Sequence, residues 1–188
     1  MRRWLVCLLW VAVLLVPRSA RAEGPDYRLP GRMKLPCSCG EGYYITWDPE
    51  GHWAEGKASG IAFDFSTPEG TPLYAPLTGV AHFLEDTRPF ETNLGHYVEI
   101  VDLKGDWLLR LAHLRDPQSG RRPVREGDLI GYSGASGAYA AHLHLELLVR
   151  EGERWIAPDL AQLTRFLGLE ITSFVRGALI TNDGCAPV

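Results

Sequence analysis

The run His142-Leu143-His144-Leu145-Glu146-Leu147 alternates polar and apolar side chains without a break. Strict alternation is the period of a β-strand, in which successive side chains leave opposite faces. Both imidazoles and the Glu146 carboxylate therefore share one face, with the three leucines on the other. Two histidines on one face of a rigid strand suit two metal ligands, or one ligand beside a catalytic base. Taken alone, the pair also fits two hydrogen-bonded core histidines.

The same period recurs upstream. In 61–66, Ile61, Phe63 and Phe65 point one way and Ala62, Asp64 and Ser66 the other, which sends the Asp64 carboxylate away from the core. Residues 43–47 (Tyr-Tyr-Ile-Thr-Trp) are aromatic and β-branched, a strand composition. Short strands are expected at 72–75 and 79–84, and a hairpin joins 97–102 to 107–113 across Lys104-Gly105-Asp106. Residues 48–51 (Asp-Pro-Glu-Gly) have turn chemistry, and 52–60, 85–94 and 116–123 read as polar loops. A short strand falls within 124–133, small residues fill 134–141, and 158–167 is the one short helix expected. Many short strands separated by Gly and Pro indicate a mainly β, antiparallel-sheet domain with long loops and little helix.

The N-terminus reads as a processing signal. Arg2 and Arg3 precede thirteen apolar residues, 4–16, and Ala20-Arg21-Ala22 supplies a small-x-small cleavage site. A membrane anchor is the rival, but a spanning helix needs about 20 apolar residues. Cleavage after Ala22 leaves 166 residues, enough for one domain with a sizeable core. On this reading 1–22 is a signal peptide, 23–42 an extended lead-in, and 43–188 the folded domain with a C-terminal extension. The protein is expected in the periplasm or outside the cell, with no stable membrane insertion after cleavage.

Four arginines leave with the signal, so 15 basic residues face 23 acidic ones, a balance of −8. That charge repels phosphate backbones and argues against nucleic acid as a partner. Cys37, Cys39 and Cys185 remain. Export favours a disulfide. Cys185 paired with Cys37 or Cys39 would tie the chain ends and leave one thiol over. A zinc site made of the three cysteines lacks the usual two-residue ligand spacing.

Six motifs then occur in order: Gly70-Thr71-Pro72-Leu73-Tyr74-Ala75-Pro76, Gly79-Val80, Gly95-His96-Tyr97-Val98-Glu99-Ile100, Leu111-Ala112-His113-Leu114, Val124-Arg125-Glu126-Gly127-Asp128-Leu129-Ile130-Gly131, and the His142–Glu146 run. Together they resemble the lysostaphin-like (LytM, M23) zinc metallopeptidases, which cut peptide cross-links of bacterial peptidoglycan. The resemblance covers roughly residues 43–149. It implies a zinc held by a His, an Asp and the second His of the His-x-His pair, the last two falling on Asp64 and His144. It makes His113 and His142 the catalytic histidines. In the usual pattern the remaining ligand lies four residues before the Asp, but that position is Gly60 here. The only upstream imidazole is His52, twelve residues before Asp64, and it takes the ligand role.

Two His and one carboxylate leave the open position of a catalytic zinc, which lowers the pKa of water from about 15.7 toward about 7. Glu146 is expected to orient the site or to be a solvated surface acid. His82 and His96 fall outside the pattern, and Tyr74, Tyr132 and Tyr139 either line a peptide groove or serve as packing. The implied activity is a secreted zinc endopeptidase acting on peptidoglycan peptides. The alternative is a catalytically inactive domain of this type that binds the wall or regulates another hydrolase, with His52 discriminating between the two.

Overall fold

Leu143, Leu145 and Leu147 are fully buried, as alternation requires of a core-facing set. The computed structural model describes residues 26–28, 33–38, 40–54, 56, 58–89, 93–167 and 175–182. The expected signal peptide, Cys39 and Cys185 lie outside these. The described elements are β1 (Asp26–Arg28), β2 (Gly42–Trp47), α1 (Pro49–Ala54), β3 (Ile61–Phe65), β4 (Pro72–Tyr74), β5 (Gly79–Glu85), β6 (His96–Asp102) and β7 (Trp107–Leu114). They continue with β8 (Gly120–Val124), β9 (Leu129–Tyr132), β10 (Leu143–Glu151), β11 (Arg154–Ile156), α2 (Leu160–Leu167) and β12 (Leu179–Thr181).

Ten strands form one sheet in the order β1-β12-β2-β3-β10-β7-β6-β5-β8, with β11 also on β10; β4 and β9 pair separately. All pairings are antiparallel except β1 with β12. The fold is thus mainly antiparallel β with little helix, as the sequence indicates. Among the described residues no helix is long and apolar enough to cross a membrane.

Three sequence expectations are corrected. Residues 49–54 are a helix rather than turn and loop. Asp48 caps it, its Oδ1 accepting the Gly51 N–H at 3.1 Å, and Pro49 occupies the first helical position, where a missing N–H costs nothing. Gly51 is required inside this helix because a Cβ there would lie 1.8 Å from Trp47 Nε1. Residues 120–124 are a strand at the sheet edge, a place that tolerates Pro123 and the exposed Arg121 and Arg122. The lead-in is built into the fold: Met33, Leu35 and Cys37 are buried in the core, and Asp26–Arg28 pairs with β12. Asn182 bridges the two ends, accepting from Leu35 N at 3.2 Å and donating to the Cys37 carbonyl at 2.8 Å. Cys37 itself is a free, buried thiol, its pKa pushed up to about 12 by burial and by Glu41.

The sheet is covered on both faces around β10. In β3 and in 143–149 every residue is buried. One face carries Phe63, Phe65 and the three leucines. On the other, Glu146 stands opposite Ala62 of β3 and Arg110 of β7, and Arg110 stands opposite Glu99 of β6. Glu146 is 1% exposed. Its Oε1 accepts from Ser59 N (2.8 Å), Ser59 Oγ (3.0 Å) and Gly60 N (2.6 Å), and its other oxygen accepts from Arg110. Arg110 also donates to Glu99 at 2.7 Å. Neither expectation for Glu146 holds as stated. It contacts no imidazole by hydrogen bond and is not solvated; it ties down the chain entering β3.

Burial opposes ionisation of Glu146, but Arg110 and the backbone donors outweigh it and hold the carboxyl below the usual glutamate range. The group therefore adds stability at neutral pH that fades as the pH falls through its folded-state pKa. Arg110→Met leaves a buried carboxylate without its guanidinium and should cost about 3–5 kcal/mol at pH 7. The deficit should shrink on acidification, and urea unfolding of both chains at pH 7 and pH 4 measures it.

Candidate metal centre

Register on the central strand assembles the site. His144 stands directly opposite Asp64 of β3, so the two side chains share a face. His144 Nδ1 lies 3.0 Å from Asp64 Oδ1. The third group comes from α1. His52 sits in its last turn, where its backbone N–H donates to the Asp48 carbonyl at 3.2 Å. Its ring Nδ1 donates to that same carbonyl at 2.9 Å, and the ring packs on Trp47 at 5.3 Å between centroids. Nε2 is thereby aimed at Asp64 Oδ1, 3.2 Å away. One ligand atom each from His52, Asp64 and His144 lies within 4.8 Å of the others, and all three residues are buried.

Proton bookkeeping tests whether a cation fits. A carbonyl only accepts, so the His52 proton is on Nδ1. In the neutral ring Nε2 is then a lone pair, and it faces a carboxylate oxygen. Two acceptors at 3.2 Å repel unless the ring is protonated or a cation lies against them. Burial opposes protonation of His52, but the Asp64 hydrogen bond and charge prevail and raise its pKa. Burial likewise opposes the Asp64 charge, yet His144 and His52 hold its carboxyl far below the usual range. A buried carboxylate beside two imidazoles is the donor set of a catalytic zinc, three protein ligands with one position open. The residues fit Zn²⁺.

His113 reaches the same cleft by a different route. Ala112, its neighbour, is the residue opposite His144, so regular alternation would put His113 on the far face. The β6–β7 register slips between His96 and Val98, and His113 carries a φ of +62°. Such a bulge re-aims a side chain, at a backbone cost of about 1–3 kcal/mol for a non-glycine residue in this region. The ring lies 4.5 Å from that of His142 and 5.9 Å from that of His144, between centroids. Its Nδ1 donates to the Ser136 carbonyl at 2.8 Å. Burial, then His142, pushes its pKa down to about 4, so the ring is neutral at pH 7. His142 precedes β10; its Nδ1 bonds the Ala140 carbonyl at 2.9 Å and its Nε2 lies 3.6 Å from Asp64 Oδ2.

The structure thus gathers all five sequence candidates, His52, Asp64, His113, His142 and His144, around one cleft. The walls include Thr46, Trp47, Asn93, Leu94 and residues 137–141. Tyr139, 90% exposed, stands at this cleft. Tyr74 and Tyr132 do not line it, and Tyr132 lies beneath the Arg115 guanidinium at 4.7 Å. Asp48 and Ser136 were not singled out by the sequence. The Asp48-Pro49 pair is a readable cap signal, but no sequence signal marks Ser136.

No curated protein matches the chain. Among solved structures, the catalytic domain of the antimicrobial peptidase lysostaphin from Staphylococcus simulans is 24% identical, covering 61% of this chain and 80% of that one, with a TM-score of 0.40. A catalytic-domain mutant of the prophage-encoded M23 protein EnpA from Enterococcus faecalis is 22% identical over 66% of this chain and 95% of that one, with a TM-score of 0.47. A zinc-containing peptidase from Vibrio cholerae is 25% identical over 69% of this chain and 39% of that one, with a TM-score of 0.42. The profile of Peptidase family M23 matches residues 58–158, more than half of the sequence and spanning four of the five cleft residues named above. This chain belongs to peptidase family M23.

Proposed function

We propose that this protein is an exported zinc endopeptidase that hydrolyses peptide cross-links of bacterial peptidoglycan, in the periplasm or outside the cell. The observation that carries the reading is the meeting of His52, with its proton committed to Asp48, and His144 on one oxygen of the buried Asp64. Export rests on the N-terminal signal pattern, and the wall substrate on the family.

His52, Asp64 and His144 would hold the zinc, which when bound polarises the scissile carbonyl and acidifies a water. The remaining work belongs to the chain. His113 is neutral at pH 7 with its proton on Nδ1, so Nε2 is free to take a proton from the attacking water. His142, with Nδ1 engaged by Ala140, turns Nε2 toward the cleft, where it stands to stabilise the developing oxyanion. The cleft between Trp47, Leu94 and residues 137–141 receives the peptide.

Metal content is the direct test. Purified wild type should carry about one zinc per chain by elemental analysis, and His52→Ala should lose it while keeping the β circular-dichroism spectrum. A folded but metal-free wild type would favour a non-catalytic wall-binding or regulatory role instead. His142→Ala should retain zinc yet lose about 10²–10³-fold in kcat on purified peptidoglycan, the usual effect of removing an oxyanion donor. His144→Ala should lose both zinc and turnover.

A further inference from the structure

We propose that Ser136 is a positioning residue for His113: its hydroxyl anchors the carbonyl that commits the His113 proton to Nδ1 and leaves Nε2 facing the cleft. The inference deepens the hydrolase reading and rests on it for its catalytic consequence. Four hydrogen bonds carry it. Ser136 Oγ accepts from His96 N at 2.9 Å and donates to the Leu114 carbonyl at 2.7 Å, so the hydroxyl is pinned between the start of β6 and the end of β7. The Ser136 carbonyl accepts from His113 Nδ1 at 2.8 Å. The His113 backbone N–H donates to the Leu94 carbonyl at 3.0 Å. Ring and backbone of His113 are therefore each held by a different loop.

Those two loops are locked to one another by backbone contact. A Cβ on Gly95, whose φ is +61°, would lie 2.1 Å from the Ser136 carbonyl oxygen. A Cβ on Gly137, φ +67°, would lie 2.5 Å from Asn93 Oδ1 and 2.6 Å from Gly95 N. Only glycine admits so close an approach at a positive φ. The carbonyl has no freedom to turn while the hydroxyl bridges His96 and Leu114. Since a carbonyl cannot donate, it selects one tautomer of a neutral imidazole, and the selected one presents an acceptor at the far nitrogen. A regular strand would turn His113 to the other face, so the bulged backbone and the Ser136 carbonyl act together on the ring's direction and protonation.

Imidazole ¹⁵N shifts on the purified chain, with steady-state kinetics on peptidoglycan and zinc analysis, test this. In wild type His113 should show a protonated Nδ1. In Ser136→Ala both tautomers should appear, and kcat should fall about ten-fold, part of the 10²–10⁴-fold that a placed acid–base group supplies, with KM and zinc content unchanged. Ser136→Thr, which keeps a hydroxyl, should restore the single tautomer and the rate. An unaltered His113 tautomer and kcat in Ser136→Ala, or a wild type protonated on Nε2, would overturn the proposal. If wild type cleaves no wall peptide, the tautomer change in Ser136→Ala still supports the positioning role while the hydrolase reading fails.

Discussion

Asp64 is a carboxylate 6% exposed to solvent, with two imidazole nitrogens within 3.2 Å of one of its oxygens. An ionised carboxylate in such surroundings is costly unless compensated by positive charge or hydrogen bonds. Much of the surrounding architecture serves that compensation. β10 brings His144 by register, and α1 brings His52 by a capped helical turn. The capping residue does two tasks: Asp48 closes the helix with its side chain and fixes the His52 tautomer with its carbonyl. A group that orients a ligand imidazole through its other nitrogen is the common second partner of metal-binding histidines.

The site face of the sheet is organised in rows. Asp64, His144 and Ala112 form one row across β3, β10 and β7. Two residues along, Ala62, Glu146 and Arg110 form the next, extended to Glu99 on β6. The second row is a chain of alternating charges that holds Ser59 and Gly60 at the entrance to β3. Gly60 stands where the family resemblance would put a ligand. It has no room for any side chain, since a Cβ would lie 2.3 Å from the Leu147 carbonyl oxygen. The candidate ligand His52 comes instead from a helix, and the Gly60 position is a tightly packed turn whose N–H groups saturate Glu146. This pairing of features explains why a twelve-residue separation between His52 and Asp64 still ends in a close contact.

Histidine chemistry in the cleft is differentiated by backbone partners. His52, His113 and His142 each direct Nδ1 to a main-chain carbonyl, those of Asp48, Ser136 and Ala140. In all three the nitrogen turned to the cleft is Nε2. His144 departs from this, with Nδ1 toward Asp64 and Nε2 buried without a partner. Three carbonyls, one between β2 and α1 and two in the loop joining β9 to β10, thus set the direction in which the site presents its lone pairs and protons.

Alternation by itself determined the β class, the shared face of His142 and His144, and the outward direction of Asp64. Those are local, period-two properties that a strand enforces wherever it is packed. His52 emerged because it was the only imidazole upstream of Asp64. The helix beneath it is not legible in the sequence, because Asp-Pro-Glu-Gly is turn chemistry as readily as a cap followed by a first helical turn. The direction of His113 was decided only in three dimensions. Nothing in Leu-Ala-His-Leu announces a bulge, and no glycine marks the residue that takes the positive φ. The strain is borne because Leu94 and Ser136, from loops closed by Gly95 and Gly137, hold that residue from both sides. Glu146 is a like case: its place on the histidine face was visible in the strand period, but its partners come from β7 and from the turn before β3. Long-range pairing of this kind depends on which strands become neighbours, and that is a property of the whole sheet rather than of any segment in it.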